Sequence, residues 1–340
     1  MTRRRILSAV TVVALVLLLI VLVSGGGSGS RRGRGSSRPH LVVLGDSWSA
    51  DGKHDVVVDP AVRNHGPGTG GRWSNGPVWP EYLCESVKCQ SYLNLALGGA
   101  KSSNRAFAAS ASAVPDLEAQ YSAYAGLNLT YPDNRSLLFV IFFGINDLVY
   151  AVSSPSGRQA AVASSVAQIV ATTAKLTGAY PHSNVLLFSA VDITLLPMYA
   201  TRFLSDGGNR DDSKNKKNNN NNSSQELLEN FKDAAALVRA WNSQLRRSAD
   251  EYHVNHTNGS VFFWDTNAWF ARQVAGVVKH GLPVYNRVCV DRVAQFECAN
   301  PQDYLFWDWV HLTTVAHKRI ANQLARIDLL PSLRKFQAQI

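Results

Sequence analysis

Five short apolar runs recur along the chain, at 40–44, 91–97, 136–143, 184–191 and 260–265, and each ends in small or polar residues. Their length and their content of Val, Ile, Leu and Phe predict buried strands. Between them lie stretches with apolar residues at helical spacing. A helix is predicted to start in the second half of 71–83, where Pro80 stands early, and others are predicted over 110–124, 159–177, 225–252 and 314–326. Gly157 and Gly178 bracket the third of these, and Pro115 restricts where the second can begin. Strand and helix alternating in this way imply a parallel sheet of about five strands, with right-handed crossovers and helices on both faces. No internal repeat is visible.

Two segments do not fit this alternation. Residues 6–23 carry no charge and follow Arg3-Arg4-Arg5. As a helix they would span roughly 27 Å, enough for a bilayer core and longer than the usual apolar region of a cleaved signal. Residues 1–24 are therefore read as a signal anchor, with a removed signal peptide as the alternative, and residues 25–39, rich in Gly, Ser and Arg, as a flexible basic linker. The rest, 40–340, reads as one domain. Within it, 205–224 holds Gly207-Gly208, Lys214, Lys216, Lys217 and the run Asn218 to Asn222, and reads as a disordered polar insertion.

The net charge of +9 suggests nucleic acid until it is located. Arg3, Arg4, Arg5, Arg31, Arg32, Arg34 and Arg38 supply seven of those charges, leaving +2 for the domain, so no nucleic-acid partner is expected. The four cysteines fall into two local pairs, Cys84 with Cys89 and Cys289 with Cys298, whose spacing favours two small disulfide loops over a metal site. Sequons begin at Asn128, Asn134, Asn221, Asn222, Asn255 and Asn258. With the apolar start, these features agree on the secretory pathway, the domain being lumenal, extracellular or secreted.

Candidate chemistry sits at the strand ends. Ser47 follows the first strand, Gly99 the second and Asn146 the third, so all three lie on the rim where a doubly wound sheet places its site. Asp308 and His311, three residues apart, precede the last helix. A serine hydroxyl needs a base, the base needs a carboxylate on its other nitrogen, and an oxyanion needs donors. Ser47, His311 and Asp308 supply the first three; the amides of Ser47 and Gly99 and the side chain of Asn146 supply the donors. Gly98-Gly99 lets the backbone come close to a substrate. Trp48, Trp73 and Trp79 are candidates for lining a pocket, with core packing the alternative for Trp73 and Trp79. Asp147 is read as a brace for the Asn146 turn. No metal site is indicated.

Four blocks, Gly45-Asp46-Ser47, Asn94-x-Ala96-x-Gly98-Gly99-Ala100, Gly144-x-Asn146-Asp147 and Asp308-x-x-His311, occur in the order and over the span seen in the SGNH (GDSL) hydrolases, which the chain resembles. Gly71 to Trp79 and Phe306-Trp307-Asp308 are similar to the branch containing fungal carbohydrate acetylesterases and GDSL lipases. The resemblance implies a flavodoxin-like three-layer α/β/α sandwich, no cofactor, Ser47 as nucleophile, Gly99 and Asn146 as oxyanion donors, and Asp308 and His311 as acid and base. Trp48 and Leu312 depart from the family pattern, which sets leucine and often proline at those positions.

The reading that follows is an extracytoplasmic serine esterase removing short acyl groups, acetyl above all, from carbohydrate. Lysophospholipid or other lipid acyl hydrolysis, acetyl transfer to a polysaccharide hydroxyl, and carbohydrate binding on a silent hydrolase scaffold are the alternatives. Acyl length, alcohol and oligomeric state are not fixed by the sequence.

Overall fold

The computed structural model describes residues 38–53, 58, 65–107, 114–153, 157–199, 220–255, 260–276 and 281–327. The apolar stretch 6–23, most of the linker, residues 205–219 of the polar insertion, and Asn258 lie outside them. Among the described residues no helix is long and apolar enough to cross a membrane.

Five strands, β1 (His40–Gly45), β2 (Ser91–Asn94), β3 (Leu137–Phe142), β4 (Asn184–Phe188) and β5 (Ser260–Trp264), form one parallel sheet in the order β2-β1-β3-β4-β5. The middle strands read as unbroken apolar runs because both their faces are covered: β3 and β4 are buried at every position. Each buried Phe of β3 and β4 contributes roughly 1.5–3 kcal/mol.

The helices divide between the faces. Helix α1 (Trp79–Val87) packs against the last helix, α7 (Thr314–Ala325). On the other face α2 (Leu117–Gly126), α3 (Ile145–Ser153), α4 (Arg158–Ala179) and α5 (Asn220–Asn255) pack on one another. The result is a three-layer α/β/α sandwich of flavodoxin-like order, whose direction of winding reverses between β1 and β3. That reversal opens a crevice beyond the carboxyl ends of these two strands.

Three elements differ from the sequence reading. Regular strand β2 ends at Asn94, yet backbone bonds to β1 continue to Leu97, with Leu95 N donating to Val43 O at 2.9 Å and Leu97 N to Gly45 O at 3.1 Å, while the Asn94 side chain accepts from Ala96 N at 3.0 Å and donates to Ser49 O at 2.7 Å. Helix α3, unpredicted, starts directly after Gly144, and its buried Ile145, Leu148 and Ala151 recur at helical spacing. Helix α5 is drawn from Asn220, so it takes in the last five positions of the segment 205–224. Four further strands, β6 (Val284–Val288), β7 (Val290–Asp291), β8 (Phe296–Glu297) and β9 (Tyr304–Phe306), and one more helix, α6 (Thr266–Val274), follow β5. Strand β6 pairs parallel with β9, and β7 antiparallel with β8. Only three positions of β6–β9 are as buried as the main sheet, which is why no apolar run announced these strands.

Both cysteine pairs form disulfides, Cys84–Cys89 at the end of α1 and Cys289–Cys298 across the β7–β8 hairpin. Asn128 is exposed, and Asn134 donates through Nδ2 to Pro181 O at 3.1 Å. The side chains of Asn221, Asn222 and Asn255 lie outside the described residues.

Candidate active site

The β1 strand hands Ser47 to a tight turn in which Asp46 O accepts from Ser49 N and Ala50 N, both at 3.0 Å, and Asp46 Oδ1 accepts from Trp48 N at 3.0 Å. The turn is clamped from α2. Gln120, fully buried, accepts from Gly45 N through Oε1 and donates to Gly45 O through Nε2, each at 2.9 Å. Nothing in the local sequence marks Gln120 for this task. A polar residue at a buried helical position was the available signal.

The structure brings Ser47, His311 and Asp308 into one series. Ser47 Oγ lies 2.9 Å from His311 Nε2, and His311 Nδ1 lies 2.9 Å from both oxygens of Asp308. Asp308 Oδ1 also accepts from Val310 N at 2.9 Å and His311 N at 2.8 Å, so the carboxylate folds its own loop around the imidazole. Burial pushes the Asp308 carboxyl up, but the hydrogen bond and charge of His311 and the two backbone N–H groups outweigh it and hold the group below the usual carboxylate range. Behind the loop on α7, burial, reinforced by the charge of His311, pushes His317 down to about 3, so that ring stays neutral.

The loop bearing Asp308 and His311 is braced by the Gly71–Trp79 segment. Ser74 Oγ donates to Leu312 O at 2.8 Å, and Asn75 Oδ1 accepts from Thr314 N at 2.9 Å. Arg72 pairs with Glu81 through two short bonds, 2.6 and 2.8 Å, and Glu81 also accepts from Val78 N at 2.9 Å, fixing the start of α1. These roles were not readable from residue types alone.

Gly99 and Asn146 come to the same rim. Gly99 has φ +80°, a region that glycine enters without strain. Asn146, in the first turn of α3, donates one Nδ2 hydrogen to Ala100 O at 2.9 Å, which leaves its second hydrogen for another acceptor. Asp147 accepts from Ser102 N at 3.0 Å and Ser102 Oγ at 2.7 Å. It thus ties α3 to the chain following Gly99, beyond the local turn.

Of the three tryptophans considered for a pocket, two are core residues. Trp48 and Trp79 are fully buried. Trp48 donates to Val310 O at 3.2 Å and meets Phe142 and Phe270 edge-on, while Trp79 donates to Ser49 Oγ at 3.2 Å and lies against Phe188. Both indoles are packed inside the protein, Trp48 from the serine turn and Trp79 from the start of α1. Leu312 is likewise fully buried, so the two departures from the family pattern fill the core rather than shape a pocket. Trp73 alone stays at the rim, half-buried, with its ring 5.1 Å from that of His311. A cavity of about 490 Å³ lined by Tyr121, Tyr124, Tyr131 and Tyr180 sits by the amino end of β3, away from this site.

Trp73 also explains a glycine. A Cβ on Gly98 would stand 2.2 Å from Trp73 Nε1. Gly98→Ala is expected to push the indole off His311 and lower kcat about tenfold or more, with an overpacking cost of about 1–3 kcal/mol. Adding Trp73→Ala should restore part of the stability lost; thermal unfolding of both single variants and the double variant checks this, and strictly additive losses would refute it.

A hydroxyl, imidazole and carboxylate in series is the arrangement for nucleophilic attack on a carbonyl with general-base help. The model of the GDSL-like lipase/acylhydrolase family matches residues 41–324, the span that carries every one of these groups. The chain belongs to that family. This GDSL hydrolase is 25% identical over 298 residues to the thermolabile hemolysin of Vibrio parahaemolyticus, covering 84% of this chain and 62% of the relative's own length. Its fold is similar to that of an acetylxylan esterase from Geobacillus stearothermophilus (14% identity, 87% of this chain and 98% of the other, TM-score 0.43). A lipolytic G-D-S-L protein from Veillonella parvula is also similar (13% identity, 84% and 95%, TM-score 0.41).

One more titratable group sits beside the serine. Asp46 is fully buried, and burial, opposed by the bond from Trp48 N and reinforced by the charge of Asp147, pushes its carboxyl up to about 7. The folded chain therefore holds a proton that the unfolded chain has lost between the usual carboxylate value and 7. Stability is expected to fall as pH rises through that window, by up to about 4 kcal/mol, and to level off above it. Asp46→Asn keeps the acceptor for Trp48 N and should flatten this part of the curve. Denaturant midpoints at pH 4 to 8 measure it; parallel curves for the two proteins would exclude the assignment.

Proposed function

We propose that this chain is an extracytoplasmic serine esterase that hydrolyses short acyl esters, acetyl esters of carbohydrate foremost, through an acyl-enzyme on Ser47. The observation that carries the reading is the unbroken series Ser47 Oγ, His311 Nε2, His311 Nδ1 and Asp308, each link at 2.9 Å. Ser47 Oγ attacks the ester carbonyl while His311 takes its proton, and Asp308 stabilises the imidazolium. The amides of Ser47 and Gly99 and the free Asn146 hydrogen receive the negative charge that develops on the carbonyl oxygen. His311 then protonates the departing alcohol, and water repeats the sequence to release the acid.

The half-buried indole of Trp73 beside His311 offers a flat apolar face to a sugar ring, which favours a carbohydrate alcohol. Two disulfides favour an oxidising compartment, the lumen or exterior, and the sequons at Asn128 and Asn134 agree with it. The apolar segment 6–23 would hold the domain at a membrane if uncleaved.

A second reading, lipid acyl hydrolysis, is favoured by two apolar side chains exposed close to the catalytic loop, Val293 and Phe296, and by a relative that is named a hemolysin. A panel of acetyl, butyryl and long-chain esters, with acetylated oligosaccharide and free oligosaccharide as acceptor, separates the readings. Acetate released in step with free alcohol supports the first. Turnover confined to long chains supports the second, and acyl groups recovered on the acceptor would replace hydrolysis by transfer.

A further inference from the structure

The β7–β8 hairpin is a rigid projection from the catalytic rim. Val290 pairs with Glu297 and Asp291 with Phe296, and the Cys289–Cys298 disulfide closes the base. At the tip, Asp291 Oδ1 accepts from Val293 N at 2.9 Å and Ala294 N at 3.0 Å, so the turn has a fixed shape. Two of its exposed residues are large and apolar: Val293 is 94% exposed and Phe296 49%, the two largest exposures among the described large apolar side chains, with Arg292, Ala294, Gln295 and Glu297 exposed beside them.

The hairpin is built onto the site. Cys289 N donates to Phe306 O at 3.0 Å and Val290 N to Trp307 O at 2.7 Å, and the Trp307 ring, one residue before Asp308, packs on Cys289, Val290 and Cys298. Arg292 donates to Pro67 O at 3.2 Å, joining the tip to the segment that leads into Trp73. Because β6 runs parallel to β9, the chain enters the hairpin on the same side as it enters the Asp308 loop.

We infer that this hairpin docks the domain on a lipid bilayer, with Val293 and Phe296 entering the headgroup boundary beside the catalytic rim. The shape of the patch selects the occupant. Two side chains on a convex turn give far less than the roughly 800 Å² per partner of a stable protein interface, whereas a bilayer accepts single protruding apolar residues. Exposed Arg292 stands at the tip, where lipid phosphates would lie, and exposed Arg287 precedes the base on β6, while the exposed acid of the hairpin is Glu297. Asp291 turns its carboxylate inward to the tip amides. The sequence also supplies the surface: the apolar run 6–23 and the basic tether after it would keep a bilayer within reach of the domain.

The docking is independent of the acyl group and of the alcohol, and rests on the esterase reading only for its benefit to turnover. The test is Val293→Trp in the full chain, reconstituted in phosphatidylcholine vesicles with plain or brominated acyl chains. Brominated lipid should quench the variant beyond the quenching of the wild-type tryptophans. Equal quenching in both proteins would overturn the docking, as would a change in the added fluorescence that follows protein concentration rather than lipid, which would mark a second copy as the occupant. Val293→Ser with Phe296→Ser should keep the rate on a water-soluble acetate ester and remove that on a vesicle-borne ester by at least tenfold. A chain inert on every ester yet quenched at position 293 would keep the docking and sink the esterase; an active chain without added quenching would do the reverse.

Discussion

Ser47→Ala is expected to lower ester turnover by about 10⁴-fold or more, to the level supplied by binding and oxyanion donors alone. The size follows from the site's construction. The hydroxyl lies 2.9 Å from His311 Nε2, and among the described residues no second serine or cysteine is hydrogen-bonded to that nitrogen. The fold should survive. Alanine leaves the bond from Trp48 N to Asp46, the two bonds from Ser49 and Ala50, and the Gln120 clamp on Gly45 untouched. Unfolding curves of the two proteins should therefore nearly coincide. A fluorophosphonate probe should label wild type and leave Ser47→Ala unlabelled. Residual activity within a hundredfold of wild type in a protein free of contamination would remove Ser47 from the chemistry.

What could be read from the sequence divides along physical lines. Buried parallel strands need continuous apolar runs, so all five strands of the main sheet were visible, and so were the candidate site residues that follow them at Ser47, Gly99 and Asn146. Asp308 and His311 were legible because their interaction is local, three residues apart. The parts that hold these groups in place were not. Gln120, Ser74 and Asn75 act across 75 to 239 positions of sequence, through single hydrogen bonds that leave no periodic signature. The helix at 145–153 was hidden by Gly144 and two polar residues, Asn146 and Asp147, which belong to its first turn yet look like a loop when read one at a time. Trp48 and Trp79 were ambiguous for another reason. An indole can serve a pocket or a core equally well, and only the depth of the serine turn decides which.

Asp308→Asn tests the remaining link and is expected to cost about 10⁴-fold in kcat with little change in KM. Asparagine's oxygen can still accept from Val310 N and His311 N, so the loop should keep its course. Its NH₂ group would then face His311 Nδ1, which must become an acceptor. That tautomer places the ring's hydrogen on Nε2, pointing at Ser47 Oγ, where a lone pair is needed to take the proton. The variant should therefore bind substrate and fail to attack it. The pH dependence sharpens the expectation. Because the Asp308 carboxyl is held below its unfolded value, its contribution to stability is fully present above the ordinary carboxylate range and is lost only as pH falls through the lower, folded value. The stability gap between wild type and Asp308→Asn should then be constant from neutral to mildly acid pH and close in strong acid. If the variant retains more than a tenth of wild-type kcat while that gap behaves as described, Asp308 is a cap for its own loop and the partner of the imidazole lies elsewhere.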